Sequence, residues 1–154
     1  MTAIAATTNV LDSAPRSTTA ARATGTPGRA ARWTGRVLSG LIIAFLTWDA
    51  VIKIMRHPMA VEGSVKIGYP AAVVPVLGYV LLAAVLLYVW PRTAALGAIV
   101  LTGYLGGAVA THVRISDPLF SHTLFPIYFG VILWLGLWLR DPRLRAILPI
   151  HKAN

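Results

Sequence analysis

Four apolar runs, each close to the length that carries an α-helix through the hydrocarbon layer of a bilayer, take up most of the chain beyond residue 36. A layer about 30 Å thick needs about 20 residues at 1.5 Å each. The runs near 37–55, 71–90, 93–111 and 124–139 match or approach that length. Backbone groups in lipid must satisfy one another, which leaves helices or closed barrels. No run alternates as a barrel strand does, so the fold class is all-α, a bundle of four transmembrane helices. Pro75 and Pro126 fall near the starts of the second and fourth runs, where a proline marks a first turn or bends the helix.

Composition supports this: 56% of the 154 residues are hydrophobic and 12% are charged, against about a quarter charged in an ordinary soluble domain. The charge is one-sided, with 14 Lys and Arg against 5 Asp and Glu, a formal +9. These basic residues flank apolar runs and form no groove-reading motif, so they speak to topology and not to nucleic acid. If both termini and the second loop share one side, that side carries 10 Lys and Arg and the other only Arg56, Lys66 and Arg114. The positive-inside rule then predicts a multi-pass protein of the cell membrane with both termini cytoplasmic, and Trp90 and Trp138 at the inner interface. Residues 1–36, rich in Ala, Thr, Ser and Arg, read as a disordered basic tail, 37–149 as the membrane domain and 150–154 as a C-terminal tail. The length of the basic stretch, and Asp49 and Lys53 in the run that follows, argue against a secretory signal. With no cysteine, the chain itself supplies no disulfide, thiolate-bound zinc, iron–sulfur cluster or dithiol chemistry.

An ionisable side chain near the middle of a span costs about 2.5 to 3.5 kcal/mol on insertion scales, which makes it a functional candidate by default. Asp49 lies about 18 Å along the first run, and Lys53 stands one turn further on the same helix face. Such a pair either neutralises itself and fixes packing or presents charge to a ligand. Tyr104 reaches about the level of Asp49 in the third run, with His112 two turns beyond it and Arg114 at the boundary. Tyr69 falls at the outer mouth of the second run, Tyr79 near its middle, and Tyr128 about one turn below the outer surface in the fourth. Asp49, Lys53, Tyr69, Tyr79, Tyr104, His112, Arg114 and Tyr128 therefore make up a candidate ligand pocket in the outer half of the bundle. Arg56, His57, Glu62, Lys66, Asp117 and His122 of the outer loops lie over it as a polar lid. Gly103, Gly107 and Thr111, spaced by four, predict close helix packing within the monomer or across a homodimer. No metal-ligand spacing is present, and His57 and His112 sit at helix ends without a deeper pair, so neither a metal nor haem is expected.

The stretch Gly68-Tyr69-Pro70, the run from Pro91 to Arg114 and the run from Phe125 to Asp141 resemble the DoxX-like family of small four-helix membrane proteins, over roughly 37–149. Asp49 and Lys53 are similar to polar positions that such proteins carry in the first span. The chain departs from the family where related sequences place a carboxylate after a Leu-Gly in the second span. Here Leu77-Gly78 is followed by Tyr79, Val80 and Leu81. Wider relatives include membrane subunits linked to thiosulfate:quinone oxidation and to oxidative-stress complexes. The resemblance thus implies a non-autonomous, oxidoreductase-associated subunit that holds a quinone or similar lipid-soluble ligand and meets a soluble or membrane redox partner chain. Two other readings fit the same residues: a small transporter or exporter, proton-coupled through Asp49, and a structural assembly protein whose polar network only holds the bundle together. No catalytic triad order or phosphate-cradling loop points to an autonomous enzyme.

Overall fold

The computed structural model describes residues 28–147. Most of the expected basic tail and the whole of 150–154 lie outside the described residues. Six α-helices follow in order: α1 (Arg29–Ile54), α2 (Pro58–Lys66), α3 (Val74–Val89), α4 (Ala94–Arg114), α5 (Phe125–Arg140) and α6 (Pro142–Ile147). A 3-10 turn at Ala71–Val73 leads into α3, and a π-helical segment at Leu119–Thr123 leads into α5. No strand occurs among the described residues.

Prolines stand at the starts of four of these helices, Pro142 of α6 among them. Pro58, Pro75 and Pro126 all stand in first turns, where the missing N–H would have had no intrahelical partner. Helix α1 starts at Arg29, well ahead of the apolar run at 37. Alanine and arginine are good helix formers, and this extension is docked: Gly35 is buried so closely on the end of α5 that a Cβ there would lie 2.9 Å from the Gly136 carbonyl.

The four long apolar helices are α1, α3, α4 and α5, with the α3 and α5 spans lengthened by their lead-in turns. They pack in a ring, α1 on α3, α3 on α4, α4 on α5 and α5 back on α1. Successive helices run in opposite directions, the up-and-down order expected of short connections. The start of α1 and the end of α5 therefore share one end of the bundle, here called the basic end for Arg29, Arg32, Arg36, Arg92, Arg140, Arg143 and Arg145. Helix α2 and the π-helical segment cap the opposite end. At most 33% of the apolar window of each span is buried within the bundle, and Leu41, Leu86, Ile99 and Val131 are each more than half exposed. So much outward apolar surface is a lipid-facing surface.

Leu81, Leu101, Leu133 and Leu137 fill the core, and Tyr88 is the largest fully buried side chain. The Tyr88 hydroxyl donates to the Leu133 carbonyl at 2.9 Å. Ser39 Oγ, 3.1 Å away, must then be the donor to the phenol oxygen. Arg140 stacks over the Tyr88 ring and donates to its carbonyl at 3.2 Å. One residue of α3 thus ties α1 to α5 at the basic end. Helix α4 approaches it from the fourth side through Gly97, where a Cβ would stand 2.2 Å from the Tyr88 nitrogen.

Candidate functional site

The ring order leaves α1 and α4 facing each other across a diagonal, and near the α2 end that diagonal is not filled. A cavity of about 510 Å3 lies there. Helix α1 contributes Asp49 and Lys53, α4 contributes Tyr104, Thr111 and His112, and Tyr69 enters from the connection to α3. Ala60, Gly63 and Ser64 of α2 form the roof. The side toward α5 is aromatic: Phe45 and Phe129 stand 4.5 Å apart between ring centroids, Phe125 and Phe129 4.7 Å, and Trp48 adjoins Phe45 at 6.0 Å.

Of the residues singled out in the sequence, Asp49, Lys53, Tyr69, Tyr104 and His112 line this cavity. Tyr79 and Tyr128 do not. They are 59% and 45% exposed on the outer faces of α3 and α5. Arg114 also lies off the cavity wall, where its Nη2 donates to the Ile67 carbonyl at 2.8 Å and secures the end of α2. Gly103 and Gly107 line the cavity, and a Cβ built on either would meet nothing within 4 Å. They therefore seat no neighbouring helix within this chain; their missing side chains leave the space open. Thr111, the third of that series, is buried.

The polar strip along the diagonal is held from within. Lys53 Nζ donates to both carboxylate oxygens of Asp49, so the two charges cancel on one helix face. Thr111 Oγ1 donates to the Gly107 carbonyl at 2.9 Å, which makes the Tyr69 hydroxyl the donor in the 2.9 Å contact between Tyr69 and Thr111. His112 Nδ1 meets Asp117 Oδ2 at 2.6 Å at the mouth. Tyr104 differs from these: among the described residues its hydroxyl has no hydrogen-bond partner, and it faces the cavity. No group of three metal-binding side chains occurs among the described residues. The cavity presents hydrogen-bond donors and acceptors on one wall and aromatic rings on the other.

Left-handed residues bracket the roof, Arg56 at φ 54° and Gly68 at φ 95°. At Gly68 a Cβ would also lie 2.6 Å from Arg114 Nη2. Gly68→Ala is therefore expected to lose about 1 kcal/mol, read as a lowered thermal midpoint in detergent, while Gly63→Ala, inside α2 with open space around it, is expected to raise the midpoint slightly.

The family model of the DoxX-like family matches residues 37–136, a stretch that holds nearly all of the four spans and every side chain of the polar strip. The chain belongs to the DoxX-like family. Membership and the four apolar helices together make it a multi-pass integral membrane protein in contact with the lipid bilayer. Compared with curated proteins and with solved structures, this DoxX-like chain gives no match.

Two features of the DoxX-like site were not singled out in the sequence. One is the aromatic wall, although its signal is present: Phe45 and Trp48 precede Asp49 by four and one residues, and Phe125 and Phe129 are spaced by four. The other is α2, a nine-residue helix of mixed polarity inside a segment that reads as a loop.

Proposed function

We propose that this protein is a ligand-binding membrane subunit, not an enzyme acting alone, and that its α1–α4 cavity takes the hydrogen-bonding head of a lipid-soluble, quinone-type molecule. The observation that carries this reading is the Tyr104 hydroxyl, unpartnered inside a span and aimed into a cavity that also holds the Asp49–Lys53 pair. A hydroxyl that meets no partner in its own chain is free to bond a ligand, and a hydrogen bond to a bound carbonyl oxygen contributes about 0.5–1.5 kcal/mol. Tyr104 and Lys53 supply donors to such an oxygen, Asp49 fixes the lysine, and the Phe45–Phe129 side offers a ring face to stack on. The redox association rests on the resemblance to family relatives that serve quinone-linked and oxidative-stress systems. Lacking cysteine, the chain would leave thiol chemistry to a partner chain docked against it. The excess of Arg and Lys at the basic end favours cytoplasmic termini in the cell membrane, with the cavity toward the outer face.

Titration of the detergent-solubilised full chain with a tail-less benzoquinone tests this reading. Saturable binding is expected, weakened about tenfold in Tyr104→Phe, which corresponds to one lost hydrogen bond of about 1.4 kcal/mol. Absence of saturable binding, or equal binding by wild type and Tyr104→Phe, would overturn it. The satisfied geometry of the Asp49–Lys53 pair favours a second reading, in which that pair serves packing alone.

A further inference from the structure

We infer that the ligand of the α1–α4 cavity carries a long apolar tail, and that the tail lies in a groove between α4 and α5 on the outside of the bundle. This rests on the head-group reading above and adds the other half of the molecule. The groove has a volume of about 680 Å3 and is walled by Thr102, Gly106 and Val109 of α4 and by Gly130, Val131 and Trp134 of α5. Leu105 and Pro126 line both the groove and the polar cavity. The two spaces are therefore separated by a wall one side chain thick, in which Leu105 is the member with rotatable side-chain bonds. On the groove side nothing stands in the way: a Cβ at Gly106 would meet nothing within 4 Å, and one at Gly130 only Leu105 Cδ1 at 3.9 Å.

The chemistry of the groove selects a tail and not a second head. Its polar side chains satisfy one another, with Trp134 Nε1 donating to Thr102 Oγ1 at 2.8 Å and Thr102 donating to the Ala98 carbonyl at 2.7 Å. What remains for a ligand is apolar surface. From Pro126 to Trp138 the groove follows α5 for about 18 Å, leading from the polar cavity toward the basic end. A second copy of the chain, laying a whole transmembrane helix alongside, would call for a seam of about 30 Å. An isoprenoid or alkyl tail entering through the Leu105–Pro126 wall fits both the length and the continuity.

The test compares two probes on the full chain in detergent: a tail-less benzoquinone and the same head with a decyl tail ending in a photoreactive diazirine. The tailed probe is expected to bind wild type at least tenfold more tightly and, on illumination, to label residues between 102–109 and 127–138. Gly130→Leu and Val131→Trp, which fill the groove away from the polar strip, are expected to remove that advantage and to leave tail-less binding within twofold of wild type. Val131 is 59% exposed, so its variant keeps the core intact if Gly130→Leu fails to fold. Equal binding of the two probes by wild type, a tail advantage that survives the Val131→Trp variant, or labelling spread over the outer faces of α1 and α3 would overturn the tail assignment while leaving the head reading in place. Failure of both probes to bind saturably would overturn both.

Discussion

Gly97→Val is expected to leave no folded bundle to purify. A Cβ at this position would lie 2.2 Å from the Tyr88 nitrogen, 2.5 Å from its Cα and 2.6 Å from the Leu87 carbonyl carbon. These are backbone atoms, so no rotamer change relieves the clash and α3 and α4 must separate. Overpacking of a core alone costs about 1–3 kcal/mol. Here the displaced residue is Tyr88, whose hydroxyl joins Ser39 and Leu133 and whose carbonyl accepts from Arg140, so contacts worth about 1 kcal/mol each are strained as well. The sum is comparable with the whole stability of a domain, about 5–15 kcal/mol. Size-exclusion chromatography of the detergent extract measures it: loss of the monodisperse peak is expected for Gly97→Val, whereas Gly103→Val, with nothing within 4 Å of its Cβ, keeps the wild-type profile. A normal peak for Gly97→Val would mean that α3 and α4 do not meet through this glycine.

The contrast between Gly97 and Gly103 shows where reading the sequence succeeds and where it stops. The four spans were legible because apolar length is a local property, and the first-turn prolines because the absent N–H constrains only their own helix. Which glycine meets a neighbouring helix depends on what stands opposite. Gly103, Gly107 and Thr111 have the spacing of a packing seam, yet the ring order puts the glycines on the open α1–α4 diagonal and gives the closest approach to Gly97. The tyrosines of α3 show the same limit. Tyr79 and Tyr88 are nine residues apart, half a turn out of phase at 100° per residue, so at most one of them faces the interior. Because α3 is apolar on every side, no amphipathic pattern marks which. Tyr88 is fully buried and Tyr79 is 59% exposed. The depth of Asp49, Lys53 and Tyr104 could be counted from the chain, but the aromatic wall that completes their cavity joins two helices about eighty residues apart in sequence. The α2 roof escaped the apolar pattern because a helix lying across the end of a bundle has no span to fill.

Lys53→Ala is expected to cost about 3–5 kcal/mol, far more than the surface ion pairs of ordinary proteins, because it strands the Asp49 carboxylate inside a span. Both oxygens of that carboxylate are now satisfied by the lysine, and the two side chains are only 25% and 16% exposed. Asp49→Ala strands the ammonium instead, and its cost is expected to be smaller, since the longer lysine reaches toward the interface with its charge in water. Replacing both residues together by leucine and methionine removes both desolvation costs and is expected to return stability to within about 1 kcal/mol of wild type, the behaviour of buried pairs exchanged for apolar groups. Thermal midpoints of the four proteins in one detergent give the coupling as a double-mutant cycle; additive losses would mean that the two charges do not depend on each other. The recovered double variant then separates the two roles of the pair. It is folded and its cavity keeps Tyr104, so loss of benzoquinone binding in it assigns Asp49 and Lys53 to the ligand. Undiminished binding assigns them to holding α1 in place and leaves Tyr104 as the group that recognises the head.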